Sequence, residues 1–264
     1  MSDTAAWRDA GEAWGRRALD WAYLVEPSSL PAYEAVLEKL DVSDGVRLLD
    51  IACGSGLASR VAWKRGASVA GLDASESLVE IACARTPQGD FRVGDMFNLP
   101  YGDAEFDVAT SFNGIWKGCE QALSEAHRVL RADGLIGLTF WGSYEKMGLL
   151  PYFAKLLELS PSDHATATIE EGDTGRVGVV EEMLGATGFE VLQRDAVTVI
   201  NEWPDVDIAV RACLSGGPAA PVIAEVGEQR FRTEIGEIFG QMCDDRLGIR
   251  VSSELGFILA KKSG

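Results

Sequence analysis

The stretch Leu48-Leu49-Asp50-Ile51-Ala52-Cys53-Gly54-Ser55-Gly56-Leu57-Ala58-Ser59 constrains the fold of this chain more than any other. A short apolar run has the pattern of a buried strand, and Gly54 and Gly56 then permit a turn too sharp for residues that carry a Cβ. Leu57 to Lys64 continues at helical spacing, and Asp50 stands at the lip of the turn. A strand, a glycine turn and a helix in that order make a site for a nucleoside cofactor. The first N–H groups of such a helix have no partner within it and favour a carboxylate.

The same alternation continues downstream. Val46 to Ala52 reads as a strand, Leu57 to Lys64 as a helix, and Ala67 to Leu72 as a second strand after the stop at Gly66. Ser75 caps a helix to Arg85, Phe91 to Val93 is a short strand and Phe106 to Phe112 a longer one. Cys119 to Leu130 is a helix, and Ala132-Asp133-Gly134 turns the chain into a strand from Leu135 to Trp141. Strands and helices alternating at this spacing specify a doubly wound α/β fold with a mostly parallel sheet covered on both faces. Beyond Trp141 the pattern predicts helices over Met147 to Leu159, Val179 to Ala186, Pro204 to Leu214 and Pro218 to Cys243. Strands are expected from Phe189 to Asn201 and from Ile249 to Lys261. They complete a seven-stranded sheet with an antiparallel edge, and the helical insertions form a cap.

Ahead of the core, Trp7, Trp14 and Trp21 recur every seven residues along one slowly drifting helical face, which Gly11 and Gly15 weaken. A second helix is expected from Leu30 to Leu40, with Ser29 as its cap. The 24 Lys and Arg against 41 Asp and Glu give a net charge of −17, so the surface repels phosphate and anionic lipid. That disfavours nucleic-acid and membrane partners. The five cysteines lack a C-x-x-C pair and there are two histidines, so no metal site is expected; the reading is a reduced, cytoplasmic protein.

Two acids sharpen the cofactor. Asp73 closes the second strand, where a carboxylate can accept hydrogen bonds from both hydroxyls of a ribose. Asp95 and the backbone N–H of Met96, in the step Gly94-Asp95-Met96, can meet an adenine amino group and ring nitrogen. An NAD(P)-linked reductase shares the turn and Asp73, but its fingerprint places a third glycine where Ser59 stands. Asp50 also brings negative charge to the approach of a pyrophosphate. A sulfonium cofactor with an ammonium group meets no such objection.

On these residues the chain resembles the class I S-adenosylmethionine (SAM) methyltransferases of the ubiquinone/menaquinone-biosynthesis type. Leu48 to Ser59 looks like their first motif, Gly71-Leu72-Asp73-Ala74-Ser75 like the acidic second-strand motif, and Gly94 to Tyr101 with Phe106-Asp107-Val108 like the adenine motif and fourth strand. Arg128-Val129-Leu130-Arg131-Ala132-Asp133-Gly134 is similar to the family's R-V-L-K-P-G-G turn, with Ala132 and Asp133 replacing its Pro and Gly. The resemblance implies one methyltransferase domain over 1–264. Within it lie a helical lid at 1–42, a SAM-binding core at 46–142, an acceptor-side cap at 143–248 and a closing strand at 249–264. It further implies that Asp50, Ala52 and Gly54 hold the amino-acid end of SAM, Gly56 keeps the turn tight, and Asp73 with Ala74 meets the ribose. Asp95 and Met96 would take the adenine, and the Phe112-Asn113 backbone the methionine moiety. Cys53 is a tolerated small residue in this motif rather than a nucleophile.

The activity so implied is in-line methyl transfer to a small molecule, achieved mainly by positioning and leaving S-adenosyl-L-homocysteine. A non-catalytic SAM-binding protein is the alternative that shares the cofactor motifs. A general base is needed only for an acceptor that is protonated at working pH. His127 falls beside inward-facing Ala126 and reads as structural, which leaves His164 as the candidate. Trp116, Trp141 and Tyr144 follow strands at the ligand-binding edge of such a sheet, and Trp21, Tyr23 and Glu26 lie in the lid segment. They suit an apolar or aromatic acceptor, or serve as packing beneath the late helices. Nothing from Ser143 to Gly248 distinguishes oxygen, nitrogen or carbon as the acceptor atom.

Overall fold

The first strand, β1 (Arg47–Ile51), shows how the sheet is covered. Its alternation sends Leu48 to one face and Leu49 and Ile51 to the other, and all three are buried. A computed structural model describes residues 6–142, 144–159 and 173–263. Before β1 come α1 (Ala6–Gly15), the single turn α2 (Ala18–Asp20) and α3 (Leu30–Lys39). After it the chain alternates through α4 (Leu57–Lys64), β2 (Ser68–Asp73), α5 (Glu76–Arg85), β3 (Asp90–Val93), β4 (Phe106–Phe112), α6 (Glu120–Val129) and β5 (Leu130–Trp141).

Strands β1 to β5 are parallel. Adding β6 (Phe189–Trp203) and β8 (Gly248–Lys262) gives the order β3-β2-β1-β4-β5-β8-β6, with the two-residue β7 (Cys243–Asp244) pairing β8. The reversed strand β8 stands between β5 and β6. Sequence order changes direction between β1 and β4, and the carboxyl ends of those strands flank the crevice where open α/β sheets bind ligands.

One face of the sheet packs under α6 and α8 (Val179–Ala186), the other under α3 and α4. A further apolar cluster joins α7 (Leu150–Leu159), α9 (Val206–Leu214), α10 (Ala219–Val226) and α11 (Glu228–Met242) to Trp203, Ile249 and Val251. It forms the cap around the far ends of β6 and β8.

Local chemistry accounts for most boundaries. Ser75 caps α5, its hydroxyl accepting from Leu78 N at 3.3 Å. Asp205 caps α9 by accepting from Ile208 N at 2.8 Å. The helix expected from Pro218 to Cys243 is two helices, because Gly227 takes φ +83 between α10 and α11. The Trp7–Trp21 stripe is interrupted after Gly15, and Trp21 begins a π-helical turn, Trp21–Val25. Ser29 makes no capping hydrogen bond to α3. The Ala132-Asp133-Gly134 turn is a bulge inside β5: Leu130 pairs with Phe106 and Leu135 with Val108, and Asp133 takes φ +62.

Candidate functional site

Three of the five residues from Ala52 to Gly56 have left-handed backbone: Ala52 at φ +57, Gly54 at +54 and Gly56 at +74. The two glycines are required for different reasons. A Cβ on Gly56 would lie 2.6 Å from Ala82 Cβ and 2.9 Å from its Cα, so glycine lets the turn rest on α5. A Cβ on Gly54 would meet only Glu26 Oε1 at 3.6 Å and Trp21 Nε1 at 3.8 Å. Gly54 therefore presents its Cα face to the N-terminal segment, where Glu26 and Trp21 stand at ordinary contact distance.

The acids around the turn have separate tasks. Asp50 is 1% exposed, and its oxygens accept from Ser59 Oγ at 2.8 Å and Thr110 Oγ1 at 2.9 Å. Burial pushes its pKa up to about 7, against the pull of those two hydroxyls. Its carboxylate thus faces α4 and β4 rather than the bare face of the turn. Ser59, in the place of a dinucleotide fingerprint's third glycine, is the residue that holds it.

Asp73 joins two strand ends, accepting from Gly54 N and from Ser75 N, each at 2.8 Å. Burial raises its pKa, while the N–H groups of Ser75, Gly54 and Ala74 hold it down. The next strand end is tied in through Gly94 N, which donates to Asp73 O at 2.9 Å. There Asp95 closes a turn by accepting from Phe97 N at 2.9 Å, and Met96 N–H has no hydrogen-bond partner among the described residues. An unspent donor beside a carboxylate is the pairing an adenine edge requires. Across the crevice Asn113 takes φ +58 and donates from its backbone N to Thr139 O at 3.2 Å. Phe112 packs its ring at a tilt against Tyr33, with centroids 4.5 Å apart.

A clasp fastens the N-terminal segment to the turn. Arg85, the last residue of α5, donates from Nη1 to Glu26 Oε2 at 2.5 Å, Ser55 Oγ at 2.6 Å and Ser55 O at 3.1 Å, and from Nη2 to Ala22 O at 2.8 Å. Ser55 Oγ also donates to Glu26 Oε2. Burial raises the pKa of Glu26, countered by Ser55, Arg85 and the backbone N–H of Leu57. The start of α4, expected to face a ligand carboxylate, is thus met by one from the chain itself. Further out, α1 lies on the loop after β2: a Cβ on Gly11 would come within 2.2 Å of Ala74 O.

The structure places the other predicted residues as follows. Trp21 packs edge-on against Trp14 at 4.7 Å, whereas Tyr23 is 66% exposed with the Arg85 guanidinium 5.6 Å from its ring. Trp116 is half-buried against the sheet core, and Trp141 packs edge-on against Phe153 in the cap at 6.0 Å. Tyr144 lies in the short turn Tyr144–Lys146, and His164 falls outside the described residues. His127 stacks edge-on against Phe189 at 5.3 Å, far in the fold from the crevice at the strands' carboxyl ends. Cys53 is buried, and burial beside Asp73 and Asp50 pushes its thiol pKa well up, the opposite of an activated nucleophile. Neither Arg85 nor Ser55 was expected at the site. In sequence Arg85 is read only as the last residue of the helix that Ser75 caps.

The sheet order, the glycine turn and the acids at successive strand ends together define the class I methyltransferase architecture. The methyltransferase domain model matches residues 49–138. A demethylmenaquinone methyltransferase of Lactobacillus johnsonii is 31% identical over 176 residues, covering 58% of this chain and 71% of that protein. The chain belongs to the class I SAM-dependent methyltransferases, of the type that includes the demethylmenaquinone methyltransferases. It spans about half the length of other curated relatives, 52% and 54% in two cases. The YcgJ protein of Bacillus subtilis shares the fold at TM-score 0.57 and 18% identity, covering 89% of this chain and 99% of that one. So does the [4+2]-cyclase SpnF, at 0.55 and 22%, covering 88% and 80%. A shared fold by itself therefore does not name the reaction.

Proposed function

We propose that this protein transfers the methyl group of SAM to a small-molecule acceptor by in-line displacement. The sulfonium supplies an already activated methyl: its carbon–sulfur bond breaks as the acceptor–carbon bond forms, and the acceptor's proton, where it has one, passes to base or solvent. The protein's part is alignment and the exclusion of water. Gly54, Ala52 and the Phe112-Asn113 backbone hold the methionine moiety, and Gly56 keeps the turn seated on α5. Asp73 uses the lone pairs left by its backbone donors for the ribose hydroxyls, with Ala74 beside it. Asp95 and Met96 N–H take the adenine edge. Asp50 acts by fixing the turn. The observation that carries this reading is the left-handed Gly54 turn after β1 together with the unspent Met96 donor after β3, both at the carboxyl ends of the parallel strands.

A small apolar or aromatic acceptor is supported by the demethylmenaquinone methyltransferase relatives and by the net charge of −17, which opposes a polyanionic substrate. His164 is the proposed base for an acceptor that needs one, and turnover unchanged in His164→Ala removes it from the mechanism. Calorimetry with SAM, S-adenosyl-L-homocysteine and NAD is the first test: the first two should bind and NAD should not. Methylated product from a panel of quinones, phenols and amines is the second; binding without product from any class makes the protein a SAM-binding module instead. Asp73→Ala should weaken SAM binding by at least about 100-fold, since two hydrogen bonds to a charged acceptor contribute roughly 1.5–3 kcal/mol each. A loss below threefold would remove Asp73 from the ribose.

A further inference from the structure

We propose that the N-terminal segment itself grips the amino-acid end of SAM as a zwitterion, Glu26 taking the α-ammonium and the Trp21 indole N–H taking the α-carboxylate. The proposal rests on the SAM site argued above and adds two residues outside its motifs.

Position is the first argument. Glu26 Oε1 and Trp21 Nε1 are the two atoms nearest a Cβ built on Gly54, at 3.6 and 3.8 Å. An acceptor and a donor thus both stand over the Cα face of Gly54, and a neighbouring ammonium and carboxylate require one of each.

Availability is the second. Asp50 has each oxygen engaged by a hydroxyl, and Asp73 has each oxygen engaged by a backbone N–H, with its remaining lone pairs assigned to the ribose. Glu26 is 4% exposed and is held through Oε2 by Arg85 and Ser55, so Oε1 is the oxygen directed at Gly54. Trp21 Nε1 has no hydrogen-bond partner among the described residues. The Leu57 N–H at the start of α4 already faces Glu26, so a ligand carboxylate needs another donor, and the indole supplies it.

Charge is the third. Glu26 raises the cost of ionising both Asp50 and Asp73, Asp73 adds to that of Asp50, and Arg85 is paired with Glu26. Such a site prefers a ligand that brings positive charge and opposes polyphosphates.

The test is calorimetry on the full chain with SAM, S-adenosyl-L-homocysteine and 5′-methylthioadenosine, which keeps the nucleoside and thioether but lacks the amino-acid end. Glu26→Gln should weaken the first two at least tenfold and change 5′-methylthioadenosine less than twofold. Trp21→Phe, which leaves Glu26, Ser55 and Arg85 in place, should weaken the first two about fivefold with the same selectivity, and it serves alone if Glu26→Gln does not fold. Equal weakening of all three ligands would reduce the pair to a structural lid, and unchanged SAM affinity in both variants would overturn the proposal directly. Failure of the wild-type protein to bind SAM at all would instead defeat the cofactor reading on which it rests.

Discussion

Arg85→Ala should destabilise the protein by about 3–5 kcal/mol, the range for removing one partner of a buried ion pair. The two side chains are 12% and 4% exposed, so little of the pair's attraction is screened by water. Alanine removes every hydrogen bond from the guanidinium to Glu26, Ser55 and Ala22, and leaves a carboxylate buried without its cation. A chain of this size loses roughly 2–4 °C in Tm per kcal/mol, so the melt should fall by about 10 °C. The double variant Arg85→Ala, Glu26→Gln should recover part of that loss, because no unpaired charge then stays buried. The cost should also be local: protease cleavage between Trp21 and Ser29 should accelerate before global unfolding, since the clasp ties that segment to α5 and the glycine turn. A loss below about 1 kcal/mol, with the double variant no better than the single, would mean that the segment is held by other contacts.

The contrast between Arg85 and Ser75 shows where sequence reading reaches its limit. A capping serine acts three residues away and is visible in the order of letters, as are the Leu48–Leu49 alternation and the acids in the last two positions of β1 and β2. The glycine turn was legible for the same reason: its backbone demands are local. Arg85 meets Glu26 across 59 residues of sequence, and nothing near either residue encodes that meeting. The placement of β8 between β5 and β6 is equally nonlocal, depending on which edge accepts a late strand. The break at Gly227 is a local signal that helical periodicity on both sides obscures. Ser59 lies between these cases. The missing third glycine was plain in the sequence, whereas the hydroxyl's bond to Asp50 required the fold to bring helix and strand together. The aromatics at strand ends divide likewise: position puts Trp141 at the sheet's ligand edge, and its ring packs on Phe153 in the cap.

Asp50→Asn should flatten the pH dependence of stability between about pH 4 and 7. In the folded protein burial lifts the Asp50 carboxyl from 3.8 to about 7, with Glu26 and Asp73 adding to the rise, so the folded state keeps a proton that the unfolded chain releases. The sign follows. Asp50's contribution is complete below the unfolded pKa, declines as pH rises through the interval, and is lost above the folded pKa. Three pH units correspond to about 4 kcal/mol as an upper bound, at roughly 1.4 kcal/mol per unit. Asparagine is neutral throughout and can still pair with Ser59 and Thr110, whose hydroxyls can rotate to donate to its oxygen or accept from its amide. Urea unfolding at pH 4.5, 6 and 8 should therefore show the variant gaining on the wild type as pH rises, and exceeding it at pH 8. Glu26 and Asp73 are also raised and leave a residual slope of the same sign in both proteins, so the measured quantity is the difference between them. Parallel curves would mean that Asp50 does not carry the shift. The same variant separates two roles for this residue at the cofactor site. If Asp50 acts only by bracing the turn, SAM affinity in Asp50→Asn should fall less than fivefold at pH 8. A loss of tenfold or more at that pH, where the folded variant is the more stable of the two, would place its charge in direct service of the ligand.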